Sequence, residues 1–312
     1  MTFKSLNSLG KERKPFLFIS DFLAQKIEVI PLNELDKHNI KFCIDENYVY
    51  KKHNKIFQKK ALGFESYKKK FDEVIEQIKS GNTYLLNLTA PTKIESNLTL
   101  SEIYNCANAH YKLKYKDEFV CFSPEKFIQI RDSTIHTYPM KGTIDASIKN
   151  AETKILHNQK EMAEHTMVVD LLRNDLSIVA KNVKVEDFRY VQEIDSGEKK
   201  LLQVSSHISG IVGNDWHDRI GDILNSLLPA GSISGTPKRS TLGVIQKIEG
   251  YKRGYFSGVF GIYNGESFDS GVMIRFVEKN KDGYIYKSGG GITLDSDAKL
   301  EYNELLDKVY LP

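Results

Sequence analysis

The strongest constraint on the fold lies near the C-terminus, where three strand-like runs are joined by tight glycine turns. Tyr255–Tyr263, Ser270–Glu278 and Tyr284–Ser288 are rich in Val, Ile, Phe and Tyr, and Asn264-Gly265 and Asp282-Gly283 separate them. Such dipeptides supply the positive φ angles that short hairpins need, which favours antiparallel neighbours over a parallel sheet. Helical patterns lie elsewhere. Phe64, Tyr67, Phe71, Val74, Ile75 and Ile78 recur at helical spacing until Gly81-Asn82, and Thr83–Thr89 then reads as a strand. Ala151–Arg173 is one long helical pattern without Gly or Pro, and Leu201–Val212 is strand-like. Thr236 as N-cap and Pro237 at the first position open a helix that runs to Glu249. Leu300, Leu305, Leu306 and Val309 define a short terminal helix. Strands in runs with segregated helices argue for an α+β fold.

A chain of 312 residues can bury a sizeable core, and its 40% hydrophobic and 27% charged content is that of an ordinary globular protein. The formal net charge of +3 is too small to demand a polyanionic partner. Lysines do cluster at Lys51-Lys52, Lys59-Lys60 and Lys68-Lys69-Lys70. The last group fills the face opposite the apolar stripe of its helix, so a solvated surface is expected rather than a nucleic-acid site. Cys43, Cys106 and Cys121 have no CxxC spacing, which fits a reducing compartment. With no signal-peptide layout and no apolar run of about 20 residues, a cytoplasmic protein free of membrane contact is expected.

Several segments could carry chemistry. Lys141 lies in Pro139-Met140-Lys141-Gly142-Thr143, read as a Pro/Gly-bounded turn after the strand Thr134–Tyr138. A lysine becomes a nucleophile only where its surroundings lower its pKa, and a solvated turn residue is the plain alternative. Two helical segments each hold a Glu-x-x-Glu pair, Glu161/Glu164 and Glu301/Glu304. Residues three apart share a helix face, so each pair can aim two carboxylates at one point, and oxygen-rich clusters suit Mg²⁺. Lys160–Glu164 and Glu304–Lys308 also have the spacing of ordinary surface ion pairs. Glu161-x-x-Glu164-His165 lacks the first histidine of an inverted zinc-peptidase motif. Gly231–Lys238 fails the phosphate-loop spacing but remains a Gly-rich turn feeding a helix N-terminus. Gly289–Gly291 after a strand is either a plain tight turn or a set of amides for a carboxylate. Arg275 interrupts an apolar strand, facing either solvent or an anion, and His207 alone reads as a sheet histidine.

Taken in order, Ser123-Pro124-Glu125-Lys126-Phe127, Pro139–Thr143, Glu161–His165, Arg173-Asn174-Asp175-Leu176, Gly231–Lys238, Gly289–Gly291 and Glu301-Tyr302-Asn303-Glu304 with Lys308 resemble the chorismate-utilising enzymes. The match is densest from Ser123 to the C-terminus, with a fainter one at Gly81–Thr89. The resemblance implies two packed antiparallel sheets flanked by helices, an anthranilate synthase-like fold. Residues 1–62 would be a short segment of that fold and 63–312 the chorismate-binding catalytic domain. Glu164 and Glu304, assisted by Glu161 and Glu301, would hold Mg²⁺ and through it the ring carboxylate of chorismate. Arg275, Tyr255, Lys308 and the amides of Gly289 and Gly291 would take the enolpyruvyl carboxylate, with His207, Gly142 and Thr143 along the ring.

A lysine at position 141 is similar to the branch that makes 4-amino-4-deoxychorismate for p-aminobenzoate and folate. There Lys141, neutral in a closed site, would attack C2 while Glu125 protonates the departing C4 hydroxyl. Ammonia would then add at C4 and expel the lysine. Anthranilate-forming relatives, the runner-up, typically have Ala at this position. Isochorismate- and salicylate-forming relatives place a lysine on the strand that here reads Tyr84-Leu85-Leu86-Asn87. Three departures stand out: Phe276 in place of a Thr, Leu85 in place of a Gln, and a short stretch before Phe64 that leaves a regulatory tryptophan pocket incomplete. No cysteine sits in a Gly-x-Cys-x-Gly turn, so ammonia is expected from a separate glutamine amidotransferase subunit.

Overall fold

The computed structural model describes residues 2–44, 56–195 and 200–312; Lys51-Lys52 lie outside them. Two antiparallel sheets form the framework. The first has the spatial order β10 (Met140–Asp145), β12 (Lys200–Ile211), β9 (Thr134–Thr137), β8 (Lys126–Arg131), β15 (Phe268–Val272), β14 (Val259–Tyr263), β1 (Phe16–Ser20), β2 (Ile27–Pro31), with β11 (Lys181–Asp195) also on β12. The second runs β13 (Gly235–Thr236), β5 (Leu85–Ser96), β17 (Gly283–Ile292), β16 (Phe276–Asn280), β7 (Phe119–Ser123), β6 (Tyr111–Tyr115), β3 (Ile40–Ile44), with β4 (Phe57–Lys60) on β5. The helices are α1 (Phe3–Lys11), α2 (Phe64–Lys79), α3 (Leu100–Cys106), α4 (Ala151–Leu156), α5 (Gln159–Val179), α6 (Ile220–Leu227), α7 (Lys238–Ile248) and α8 (Ala298–Asp307).

Strand β1 shows how the layers stack. All five of its residues are buried. Leu17 and Ile19 pack with Tyr111, Leu113 and Tyr115 of the second sheet, whereas Phe16 and Phe18 join Leu6 of α1 and Ile220 of α6. Alternate side chains thus meet the other sheet and the covering helices, as a strand buried on both faces requires. The far face of the second sheet is closed by α3 and the C-terminal residues Val309 and Leu311, packed on Val120, Phe122 and Tyr286. Two sheets with flanking helices are what the sequence reading expects.

Local expectations fare unevenly. Both glycine hairpins form, β14 to β15 across Asn264-Gly265 and β16 to β17 across Asp282-Gly283. Helix α2 buries Tyr67, Phe71, Val74 and Ile78. Its exposed face mixes signs, with Lys68 2.6 Å from Asp72, as a solvated face would. The expected helix over Ala151–Arg173 is instead split into α4 and α5, because Asn158 leaves helical geometry and its side chain caps the Glu161 amide. Thr236 is not an N-cap: it pairs with Leu85 in β13, and Pro237 occupies the cap position. Leu300 is 62% exposed, on the outer side of α8. The run Ser270–Glu278 is broken, since the chain leaves the first sheet after Val272 and enters the second at Phe276. Residues 255–258 stand outside the strand that begins at Val259.

Candidate active site

Lys141 lies in a strand rather than a turn. Strands β9 and β10 run end to end along β12, joined at Pro139, whose carbonyl accepts the Ser206 amide at 3.0 Å. The register shifts between Met140, opposite Ser205, and Thr143, opposite Gln203. Lys141 and Gly142 therefore share the place of one partner residue, as in a β-bulge. Gly142 has φ +88°, and a Cβ there would lie 3.1 Å from Glu161 Oε2, so glycine answers both demands. The bulge aims Lys141 at α5, and Nζ stops 2.7 Å from Glu164 Oε2.

Two capped helices bring the carboxylates together. Asn158 caps α5 ahead of Glu161 and Glu164; Asp297 caps α8 ahead of Glu301 and Glu304 through the Lys299 and Leu300 amides. Lys160 bridges the helices, with Nζ 3.4 Å from Glu301 Oε1 and 3.8 Å from Glu164 Oε1. Ser296 donates to Glu301 Oε1 at 2.9 Å. Lys308 lies 2.6 Å from Glu304 and donates to the Gly289 carbonyl at 2.9 Å. Strand β17 passes between these groups: a Cβ at Gly290 would sit 3.4 Å from Glu301 Oε2 and 3.9 Å from Glu304 Oε1, and one at Gly291 would sit 3.8 Å from Lys141 Nζ. Gly290 and Gly291 keep that space open, whereas a Cβ at Gly289 would meet Thr89 at 2.5 Å. Gly289, Gly290 and Gly291 lie within the strand, opposite Thr89, Leu88 and Asn87 of β5, rather than in a turn.

Burial and charge oppose each other throughout the cluster. Burial would push Lys141 down, but Glu164 beside it wins and holds the ammonium above its ordinary value. A neutral resting lysine is therefore not what this arrangement produces. Burial raises Glu161 against the pull of Lys141, with Glu164 and Glu304 adding repulsion. Glu301 is raised by burial against the Ser296 hydrogen bond. Burial would also raise Glu304, yet Lys308 carries it below the usual carboxylate value. Lys308 itself is lowered by burial despite Glu304. Among the described residues no group of three His, Cys, Asp or Glu side chains is gathered tightly enough to hold an ion. Lysines instead neutralise the carboxylates. Carboxylate oxygens are nonetheless the hard donors that a divalent cation such as Mg²⁺ takes, one or two carboxylates at a time with water completing the shell.

Glu125 and Arg275 complete the site. Glu125 accepts a hydrogen bond from Ser232 Oγ, and burial raises its pKa against that bond and against Lys308, Arg275 and Lys141. Arg275 stands at the crossing between sheets with φ +51°, a conformation strained for a side chain of its size. Its guanidinium lies 5.7 Å from the Tyr310 ring centre, and its buried Nε has no hydrogen-bond partner. A cation so placed is suited to an anionic ligand.

Two expected residues are turned elsewhere. Tyr255 donates to Glu28 Oε1 at 2.6 Å and packs against Tyr115 and Phe119, although its loop adjoins the crossing, where the Ser257 amide donates to the Met273 carbonyl. His207 stacks on Tyr138 at 4.6 Å and lies 3.0 Å from His136, on the side of β12 opposite Ser206, which contacts His165 of α5. Thr143 is exposed beside the bulge. Sequence reasoning missed the bridging of the two helices by Lys160, and the contacts of Ser232, Ser296 and Gly290. Lys160 had the right spacing to Glu164, but its reach to Glu301 depends on how the helices pack.

A family model described as chorismate binding enzyme matches residues 25–311. The chain belongs to the chorismate-binding enzymes. This chorismate-binding enzyme is 47% identical to an uncharacterized PabA-like protein of Haemophilus influenzae, covering 98% of the chain and 94% of that relative. It is 28% identical to aminodeoxychorismate synthase component 1 of Bacillus subtilis over 77% of the chain, and spans 54% of that relative's length. Its fold matches the menaquinone-specific isochorismate synthase of Escherichia coli with a TM-score of 0.73 at 14% identity, covering 97% of the chain and 79% of the other. No helix among the described residues is long and apolar enough to cross a membrane.

Proposed function

We propose that this chorismate-utilising enzyme aminates chorismate at C4 to 4-amino-4-deoxychorismate, using ammonia supplied by a separate glutamine amidotransferase. The observation that carries the reading is Lys141, delivered by a bulge into the cluster of Glu161, Glu164, Glu301 and Glu304 with its Nζ 2.7 Å from Glu164. Glu164 and Glu304, assisted by Glu161 and Glu301, are the residues to hold Mg²⁺, which supplies charge neutralisation for the ring carboxylate. Arg275 and Lys308 are the cations that would meet the enolpyruvyl carboxylate. Burial is the largest single influence on Lys141 and favours the neutral amine against Glu164, Glu304 and Glu161, so relaxing the contact to Glu164 lets the ammonium give its proton to solvent.

Lys141 Nζ then bonds to C2 while the C4 hydroxyl leaves as water with a proton from Glu125. Ammonia bonds to C4, the C2–Nζ bond breaks, and the proton released from the added nitrogen returns to the Glu125 carboxylate. An external ammonia source is supported by the three cysteines: all are buried, and none has the Gly-x-Cys-x-Gly context of a glutaminase nucleophile. Incubation with chorismate, Mg²⁺ and ammonium, followed by chromatographic identification of the product, tests the reading. Aminodeoxychorismate is expected, and anthranilate as the sole product would overturn it.

A further inference from the structure

The Gly-rich turn before α7 is too heavily pinned for a simple connection. Gly231, Ile233 and Ser234 are buried, and a Cβ at Gly231 would lie 2.7 Å from Asp175 Oδ2. Ser234 donates to the Ala230 carbonyl at 2.8 Å, and its own carbonyl accepts the Asn87 amide at 2.9 Å. Arg253 donates to the Ile233 carbonyl at 2.9 Å. Lys238 ties the next residues back to Asp175 at 3.0 Å. Ser232 of this turn, only half-buried, meets Glu125 through its hydroxyl.

We infer that Ser232 is a positioning residue for Glu125, donating its hydroxyl proton to Oε1 so that Oε2 carries and delivers the catalytic proton. The inference rests on the general-acid reading of Glu125 given above. A protonated carboxyl has one oxygen that only accepts, and a fixed hydroxyl donor selects which one that is. Without it either oxygen could hold the proton, and only one orientation points at substrate. The charged groups facing Glu125 are Lys308 of α8, Arg275 at the sheet crossing and Lys141 of β10, all of which favour the carboxylate. The hydroxyl acts in the same direction, so its loss makes Glu125 harder to deprotonate.

The test compares wild type with Ser232→Ala and Ser232→Thr, with total ammonium adjusted so that free ammonia stays constant across pH. Ser232→Ala should lower kcat about tenfold, leave KM for chorismate within about twofold, and move the alkaline limb of the kcat profile up by about 0.5–1 unit. Ser232→Thr keeps the hydroxyl and should keep the limb where wild type has it. Carbon-13 NMR titration of glutamate-labelled protein, with the Glu125 signal assigned by its loss in Glu125→Gln, reads the same shift without turnover. An unmoved titration in Ser232→Ala, or a Thr variant that behaves like Ala, would overturn the role of Ser232. A wild-type product other than aminodeoxychorismate would overturn the proposed reaction instead, and the titration would still decide the residue.

Discussion

Arg253 and Glu249 form a bidentate ion pair in the interior, with Arg253 Nε 2.9 Å from Oε2 and Nη2 2.6 Å from Oε1. Both side chains are almost wholly buried. The pair is saturated: Thr89 donates its amide and hydroxyl to Glu249, while Arg253 also reaches the Asn87 and Ile233 carbonyls. It therefore joins β5, which lies opposite the glycines of β17, to the turn that carries Ser232.

Removing one partner leaves a buried charge uncompensated. Arg253→Met should cost about 3–5 kcal/mol of unfolding free energy, measured by urea denaturation. The double variant Arg253→Met/Glu249→Gln should recover part of the loss. Additive losses in the pair would show that the two side chains do not act together.

Glu164→Gln and Glu304→Gln should each reduce turnover by at least about 100-fold while leaving the circular dichroism spectrum intact. EDTA should silence the wild type and Mg²⁺ should restore it. Full activity in metal-free buffer would exclude a metal role for these glutamates.

Lys141→Ala should lose at least about 100-fold in aminodeoxychorismate formation, with any residual product shifting toward anthranilate. Lys141→Arg keeps the charge but cannot readily give up a proton, so it should fail as well. Mass spectrometry of quenched wild-type enzyme should find a chorismate-derived adduct on the peptide containing Lys141. An Arg variant working near the wild-type rate would rule out a covalent role.

The isolated chain should use ammonium salts, better at alkaline pH where more ammonia is free, and should leave glutamine untouched. Adding a cognate amidotransferase should confer glutamine use, followed as glutamate release. Glutamine-dependent turnover by the pure chain would contradict the external ammonia source.

Acid should destabilise the fold through buried histidines. His217, enclosed near Arg13 and Tyr263, is held down to about 4 by burial and then by the Arg13 charge. In the unfolded chain it titrates near its ordinary value of about 6.5. Protonation therefore favours unfolding: the contribution is complete above about pH 6.5 and is lost as pH falls toward 4. His165, held to about 4 by burial and Arg189, acts in the same sense. The urea midpoint should fall across that window, and His217→Asn should flatten part of the slope. An unchanged slope in that variant would clear His217 of the effect.

What the sequence made legible depended on how local the physics is. Helix α2 could be read because its apolar stripe, opposed by lysines, has meaning within the helix itself. Both Glu-x-x-Glu pairs could be read for the same reason, as one face of one helix. Lys141 reads as a turn residue because a bulge exists only relative to a partner strand, and β12 lies some sixty residues downstream. The kink at Arg275 is hidden similarly, since apolar neighbours on both sides give no sign that they belong to different sheets. His207 shows a further limit: alternation separates the two faces of β12 but does not say which one looks toward α5.

The two carboxylate pairs ride on different layers. Helix α5 packs on β10, β11 and β12 of the first sheet, and α8 packs on β17 of the second. The spacing of the four carboxylates is thus a property of how the layers dock, not of either layer alone. Slight repacking between Leu17 or Ile19 and the facing tyrosines would be felt as lost turnover well before the chain unfolds, which makes activity a sensitive gauge of the seam between the sheets.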